Sequence, residues 1–250
     1  MYKSLLPFRW ILSGLLVLVL VGVMIRLGFW QLDRLAERRA LNARINTQIT
    51  APVLNLNLEL PVNQLFDMEY RSVVVSGFYD FSQEVILRNQ VHDDKLGYAV
   101  ITPLKIQGSS YSVMVERGWI PGEEAQPDLR VKFAEPGLVQ VNGLLRRSQS
   151  QGTFMGATEP TLAPGQTRQD TWTMINLESM QQQVKLTLLP VYIQQAPDSA
   201  WTVMPYRSIN LPDLSEGPHL GYAIQWFIFS TIVGVGYPIY VRRRLKKLKK

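Results

Sequence analysis

The 250-residue chain contains no cysteine and only two histidines, His92 and His219. Without thiols there are no disulfides, zinc–thiolate sites, iron–sulfur clusters or cysteine-based copper carriers. Two imidazoles exclude a histidine-rich metal centre as well, so no zinc, copper or iron–sulfur site is expected. A P-loop, a GxGxxG after a strand and a GxSxG are also missing, which removes the common footholds of enzyme chemistry. The net charge of +6 is misleading. Val241 to Lys250 hold seven bases (Arg242, Arg243, Arg244, Lys246, Lys247, Lys249, Lys250), leaving nineteen bases against twenty acids elsewhere. The basicity belongs to a tail, and no nucleic-acid partner is expected.

What the chain does have is two long apolar stretches, one near each end. From Trp10 to Trp30 there are 21 residues, about 30 Å as a helix, which matches a bilayer core. The tryptophan at each end suits the interfacial belt. Arg26 would cost roughly 2.5–3.5 kcal/mol at mid-membrane, but four residues from the end it can snorkel to water. Lys3 and Arg9 resemble the start of a signal peptide, yet no A-x-A-like site follows and residues 25–30 are bulky, so an uncleaved anchor is expected.

Leu220 to Val241 is uncharged and runs straight into the basic tail. One base, Arg207, lies within the twenty residues before it and seven lie after, which predicts a cytoplasmic C-terminus. The first span alone reads poorly, with two bases before it and four after. For a hairpin with both termini inside, nine bases fall inside and five outside. The expected organisation is a cytoplasmic segment 1–9, a transmembrane helix 10–30, a periplasmic domain 31–218, a second transmembrane helix 219–241 and a cytoplasmic tail 242–250.

In the enclosed domain, Leu32, Leu35, Ala36, Leu41, Ile45 and Ile49 keep helical spacing, which predicts an amphipathic extension over 31–50 stopped by Pro52. Strand signals follow. Arg71 to Tyr79 and Glu84 to Asn89 read as a hairpin across Asp80-Phe81-Ser82. Tyr98 to Ile106 and Tyr111 to Ile120 read as another across Gln107 to Ser110. Further strands are expected at Leu138–Leu145, Thr171–Ile175 and Pro190–Gln194. A short helix fits Leu177–Val184, with Asn176 as its N-cap and Ser179 to Gln183 on its polar side. Residues 148–170, rich in Gly, Pro, Thr and Gln, read as a long loop. The fold class is therefore a membrane protein with two transmembrane helices in a hairpin, enclosing a β-rich α+β domain built as an antiparallel sheet or small barrel.

Three clusters could carry chemistry. In His219-Leu-Gly-Tyr-Ala-Ile-Gln-Trp-Phe-Ile-Phe229, residues His219, Tyr222, Ala223 and Trp226 share one helix face, flanked by Gln225 and Phe229. A lone imidazole beside aromatics at the membrane surface either ligates a haem iron or is an ordinary interfacial anchor. Arg117 beside Gly118 is either an anion contact or a strand-end turn with Trp119 in the core and Pro121 ending the ladder. Leu27-Gly-Phe-Trp-Gln31 is either a membrane-exit anchor, with Gln31 capping or facing solvent, or a helix–helix contact through Gly28. His92-Asp93-Asp94-Lys95 reads as a hairpin loop, with no nucleophile to complete a triad.

Taken in this order and spacing, Gly28, Trp30 and Gln31 after the first span, Arg117-Gly118-Trp119 midway, and His219 with Tyr222 opening the second span resemble the SURF1/Shy1 family. Ser76-Gly-Phe-Tyr-Asp80 also fits the family's early hairpin. The resemblance implies a non-enzymatic factor in cytochrome c oxidase assembly that binds haem a transiently. The implied partners are the oxidase catalytic subunit, haem A synthase and the lipid bilayer. On that reading His219 ligates the haem iron, with Tyr222, Trp226 and Phe229 against the ring. No chemical role carries over to Gly28, Trp30, Gln31, Arg117, Gly118 or Trp119. A bacterial inner-membrane location is expected, because the chain starts almost directly with a span and no Arg/Ser-rich transit segment. Two other readings stand beside it: a cofactor-free scaffold for an oxidase intermediate, and a membrane-anchored hydrolase that needs His92 beside a serine and an acid.

Overall fold

The computed structural model describes residues 5–149 and 168–248. Most of the loop expected at 148–170 and the outermost residues of both ends lie outside the described residues. Two compact units divide the chain: a helical one that ends at Arg44 and resumes at Asp213, and a β-rich one, Ile45–Pro212.

The helical unit pairs α1 (Leu5–Ile49, whose last turn belongs to the other unit) with α4 (His219–Leu248). Contacts that ascend in α1 descend in α4, so the two run antiparallel. The Trp10 and Tyr240 rings lie 6.2 Å apart, and the Ser13 and Tyr237 hydroxyls are 2.6 Å apart. Phe29 meets Phe227 edge to face at 5.4 Å. Both helices are long and apolar enough to cross a membrane. Leu12, Leu16, Val19, Ile224, Ile228 and Ile232 are exposed, an arrangement that is costly in water and without that cost against lipid hydrocarbon.

In the β-rich unit, five strands close on themselves: β2 (Ser72–Tyr79), β6 (Val139–Arg147), β8 (Thr187–Gln195), β5 (Tyr111–Pro121) and β4 (Lys95–Ile106). Closure occurs where Gly77 pairs with Val139 on one side and Ile106 on the other. Alternate residues of β2 point inward, and Val73, Val75, Leu104, Val113, Val115, Val141, Leu145, Val191 and Ile193 fill the interior. This is the small-barrel solution to the exposed edges of an open sheet. Outside the ring, β3 (Val85–His92) pairs with β4, and the two-residue β1 (Leu54–Asn55) and β7 (Thr171–Trp172) add to β2 and β3. The short helix α2 (Pro127–Arg130) precedes β6, and α3 (Leu177–Gln181) packs Leu177 and Met180 onto the outer face of β4, β5 and β8 beside Ile101, Met114 and Tyr192.

Several expectations are corrected. Residues 71–79 and 84–89 do not form a hairpin; β2 and β3 both lie along the twelve-residue β4, pairing with its end and its beginning respectively. Phe81–Gln83 is a 3₁₀ turn that carries the chain from one to the other. Of the two forms expected, antiparallel sheet or small barrel, the barrel is the one present, and its strand pairing is mixed, because β5–β8, β1–β2 and β3–β7 are parallel. The strand at 171–175 stops after Trp172, and the helix expected to Val184 stops at Gln181, capped by Asn176 accepting from the Ser179 N–H at 3.0 Å. Met180, placed on that helix's polar side, is fully buried. The hairpin at Asp93-Asp94 is present: both residues have positive φ, 47° and 59°, as a tight two-residue turn requires.

Candidate functional site

The first and third sequence clusters meet. Gly28 offers no side chain at the point where the Phe227 ring crosses α1; a Cβ there would lie 2.7 Å from the ring. One turn further on, the Gln31 Oε1 atom is 2.8 Å from His219 Nδ1. Small residues admit close helix approach in just this way. Ala223 is buried at the contact, whereas Tyr222 and Phe229 stay 47% and 49% exposed and Trp226 meets Phe229 edge to face. The face drawn from helical spacing therefore splits. His219 and Ala223 belong to the helix pair, and Tyr222 and Phe229 form an open aromatic border. Trp30 is 45% exposed.

The chain just before α4 is tied down by polar contacts from α1. Arg38 donates to the carbonyls of Asp213 (2.7 Å) and Ser215 (3.2 Å), and Asn42 to that of Leu214 (2.6 Å). Arg39 and Glu216 form a two-pronged pair at 2.8 Å. That pair and the Ser215 hydrogen bonds hold the Glu216 and Asp213 carboxyls below their ordinary range. A cavity of about 500 Å³ lies here, lined by Arg34, Arg38, Leu41, Glu216 and His219 among others. Among the described residues, His219 Nε2 has no hydrogen-bond partner. A neutral imidazole anchored at Nδ1 and open at Nε2 is the arrangement a metal-ligating histidine needs, so the residues present fit a haem iron. The sequence offers His219 and Gln31 separately but not their bond; Arg38 and Arg39 are legible only as charge on the helix extension, and Asn42 carries no signal there.

Arg117 resolves differently. Its side chain is 1% exposed and lies 3.1 Å from Glu84 and 2.8 Å from Glu135, with a further bond to the Phe133 carbonyl. The Tyr79 and Phe81 rings lie 4.9 and 5.2 Å from the guanidinium. Glu84 also accepts from Thr102 and lies 3.3 Å from Arg130, which is paired in turn with Asp170 at 2.8 Å; Arg207 is 3.2 Å from Glu135. Burial pushes the Glu84 carboxyl up, while Thr102 and the two arginines pull against it. The anion that Arg117 contacts is thus the chain's own carboxylates. Gly118, at φ 135°, lies under the Tyr206 carbonyl, which a Cβ would meet at 2.7 Å; that approach is by protein backbone, not by an anion. Trp119 is buried, and Pro121 ends β5, so the strand-end reading holds. His92 stacks on Tyr206 (5.1 Å) and meets Trp119 at a tilt (5.4 Å), with Asp93 at 3.7 Å and no serine bonded to it among the described residues.

The family model of the SURF1 family matches residues 18–231. A SURF1-like protein of Rickettsia felis is 26% identical over 234 residues, covering 92% of this chain and 97% of the relative. One from Monosiga brevicollis is 25% identical over 234 residues, covering 87% and 83%. The yeast cytochrome oxidase assembly protein SHY1, from Saccharomyces cerevisiae, is 29% identical over 135 residues, covering 52% of this chain and 35% of its own. Matched from within its first apolar helix to within its last, this chain belongs to the SURF1 family.

Proposed function

We propose that this protein is a membrane-anchored, non-enzymatic assembly factor for cytochrome c oxidase that holds haem a at His219 and hands it on to the catalytic subunit. Membership of the family and the likeness to a yeast relative named for oxidase assembly support the general role. The observation that carries the finer reading is the state of His219: Nδ1 engaged by Gln31, Nε2 open, on the first turn of an apolar helix. When bound, haem a supplies an iron that accepts an imidazole lone pair and an apolar ring. Of the chain's own groups, His219 offers the lone pair, and Tyr222, Trp226 and Phe229 offer apolar surface that is still partly open. A single protein ligand suits a carrier, because release then requires breaking one bond.

On this reading α1 and α4 span the inner membrane of a bacterium. The bases after Val241 lie in the cytoplasm and the barrel unit in the periplasm, where it docks the oxidase subunit or haem A synthase. A second reading has a specific observation behind it: the Gln31–His219 bond alone can lock the two helices, with no cofactor involved. Co-expression with haem A synthase separates the two. The carrier reading predicts a haem a spectrum in the purified protein that His219→Ala removes. The scaffold reading predicts a haem-free protein that still co-purifies with the oxidase subunit, and that result would overturn the carrier.

A further inference from the structure

We infer that Gln31 is a positioning residue: its side-chain oxygen holds the His219 proton on Nδ1 and so reserves the Nε2 lone pair for an incoming ligand. This rests on the carrier reading for its purpose, but its physical content stands apart from haem. The two residues are 188 positions apart in the chain, yet their side chains meet at 2.8 Å. A neutral imidazole has one donor nitrogen and one acceptor, and the partner of one nitrogen decides the role of the other. With Oε1 accepting from Nδ1–H, Nε2 is the acceptor. With the amide reversed, its NH₂ would donate to Nδ1, the ring proton would move to Nε2, and the ring would present a donor unable to ligate. Amide orientation and tautomer are therefore one question.

Gly28 and Gln31 divide the work. The missing side chain at Gly28 lets Phe227 close onto α1, which brings the first turn of α4 within reach of Gln31 one turn along. The Arg38, Asn42 and Arg39 contacts to residues 213–216 hold the approach to that turn in place. Gln31, read from the sequence as capping or facing solvent, instead meets His219 and becomes the group that makes it a usable ligand, as outer hydrogen-bond partners do for metal-ligating histidines.

The test uses the full chain in detergent, labelled with ¹⁵N-histidine and free of haem. Only two histidines are present, and His219→Ala identifies the His219 signals by their disappearance. The expected result at neutral pH is a protonated Nδ1 and an unprotonated Nε2. Gln31→Leu should lose this single tautomer, whereas Gln31→Glu, which only accepts, should keep it. A wild-type ring protonated at Nε2, or a Gln31→Leu spectrum equal to wild type, overturns the inference whether or not haem binds. With haem a added, Gln31→Leu should bind about 10–100-fold more weakly. Gln31→Glu should restore binding with a more negative midpoint potential. If the tautomer is as inferred but the wild type takes no haem, the carrier reading fails and the positioning by Gln31 remains.

Discussion

Arg117, on β5, and Glu84, at the entry to β3, face each other at 3.1 Å with 1% and 8% of their side chains exposed. No solvent is available to compensate if either is removed. The pair joins Arg130, Asp170, Glu135 and Arg207 into one connected cluster of charge. It sits where the chain steps from β2 to β3 and ties that step to β5 and to the segment after α2.

Removing one member of a buried pair strands its partner, at about 3–5 kcal/mol. Arg117→Ala should therefore destabilise the β-rich unit by that amount in denaturant unfolding. Arg117→Lys should recover part of it, since an ammonium cannot reach Glu84, Glu135 and the Phe133 carbonyl with one rigid fork. A variant as stable as wild type would show that the cluster contributes nothing net.

The contact of Gly28 with Phe227 makes a prediction about the helix pair. A larger residue at position 28 forces the ring aside, an overpacking effect of roughly 1–3 kcal/mol. Because the chain has no cysteine of its own, Ser13→Cys with Tyr237→Cys gives a clean pair of thiols whose cross-linking by a short bismaleimide reports helix pairing. Gly28→Val should reduce that cross-link, and adding Phe227→Ala should restore it. Unchanged cross-linking in Gly28→Val would mean that the ring does not set the helix separation.

Glu116 supplies a pH signature. Burial pushes its carboxyl up, against a hydrogen bond from Gln194 and the charge of Arg146. A carboxyl raised in the folded state contributes stability that is fully present below its unfolded value of about 4.3 and lost as pH rises through the folded value. Glu116→Gln removes that loss. Its melting temperature should exceed that of wild type at pH 7–8, and the gap should shrink towards pH 4. A gap that is constant with pH would show that Glu116 titrates alike in both states.

Orientation is testable by reporter fusion. Alkaline phosphatase placed in the exposed turn at Gly108 should be active, and a fluorescent protein after residue 250 should fluoresce in the cytoplasm. The reverse pattern would place the β-rich unit on the cytoplasmic side and remove the periplasmic docking role.

How much of this was legible in the sequence follows from range. The two apolar helices and the β4–β5 hairpin depend on local composition and spacing, and they were readable. The β2–β3 error has a physical cause. Asp80-Phe-Ser-Gln83 has the polar turn chemistry of a hairpin, but β4 is long enough to pair with both strands, and its length gives no hint of who lies beside it. The parallel β5–β8 pairing and the barrel closure join residues far apart in the chain, so no local pattern announces them. Site residues divide the same way. His219 and Gln31 stood out by type and place, whereas their bond spans 188 positions. Glu84, Arg130, Glu135, Asp170 and Arg207 have no shared periodicity, so their cluster is invisible to local pattern.

The hold on haem a proposed for His219 is measured most directly by an equilibrium titration of haem a into the purified full chain in detergent, followed by absorbance. Wild type should bind saturably with a shifted Soret band, and His219→Ala should bind at least tenfold more weakly with no such shift. Equal affinity and an identical spectrum in the two proteins would contradict it.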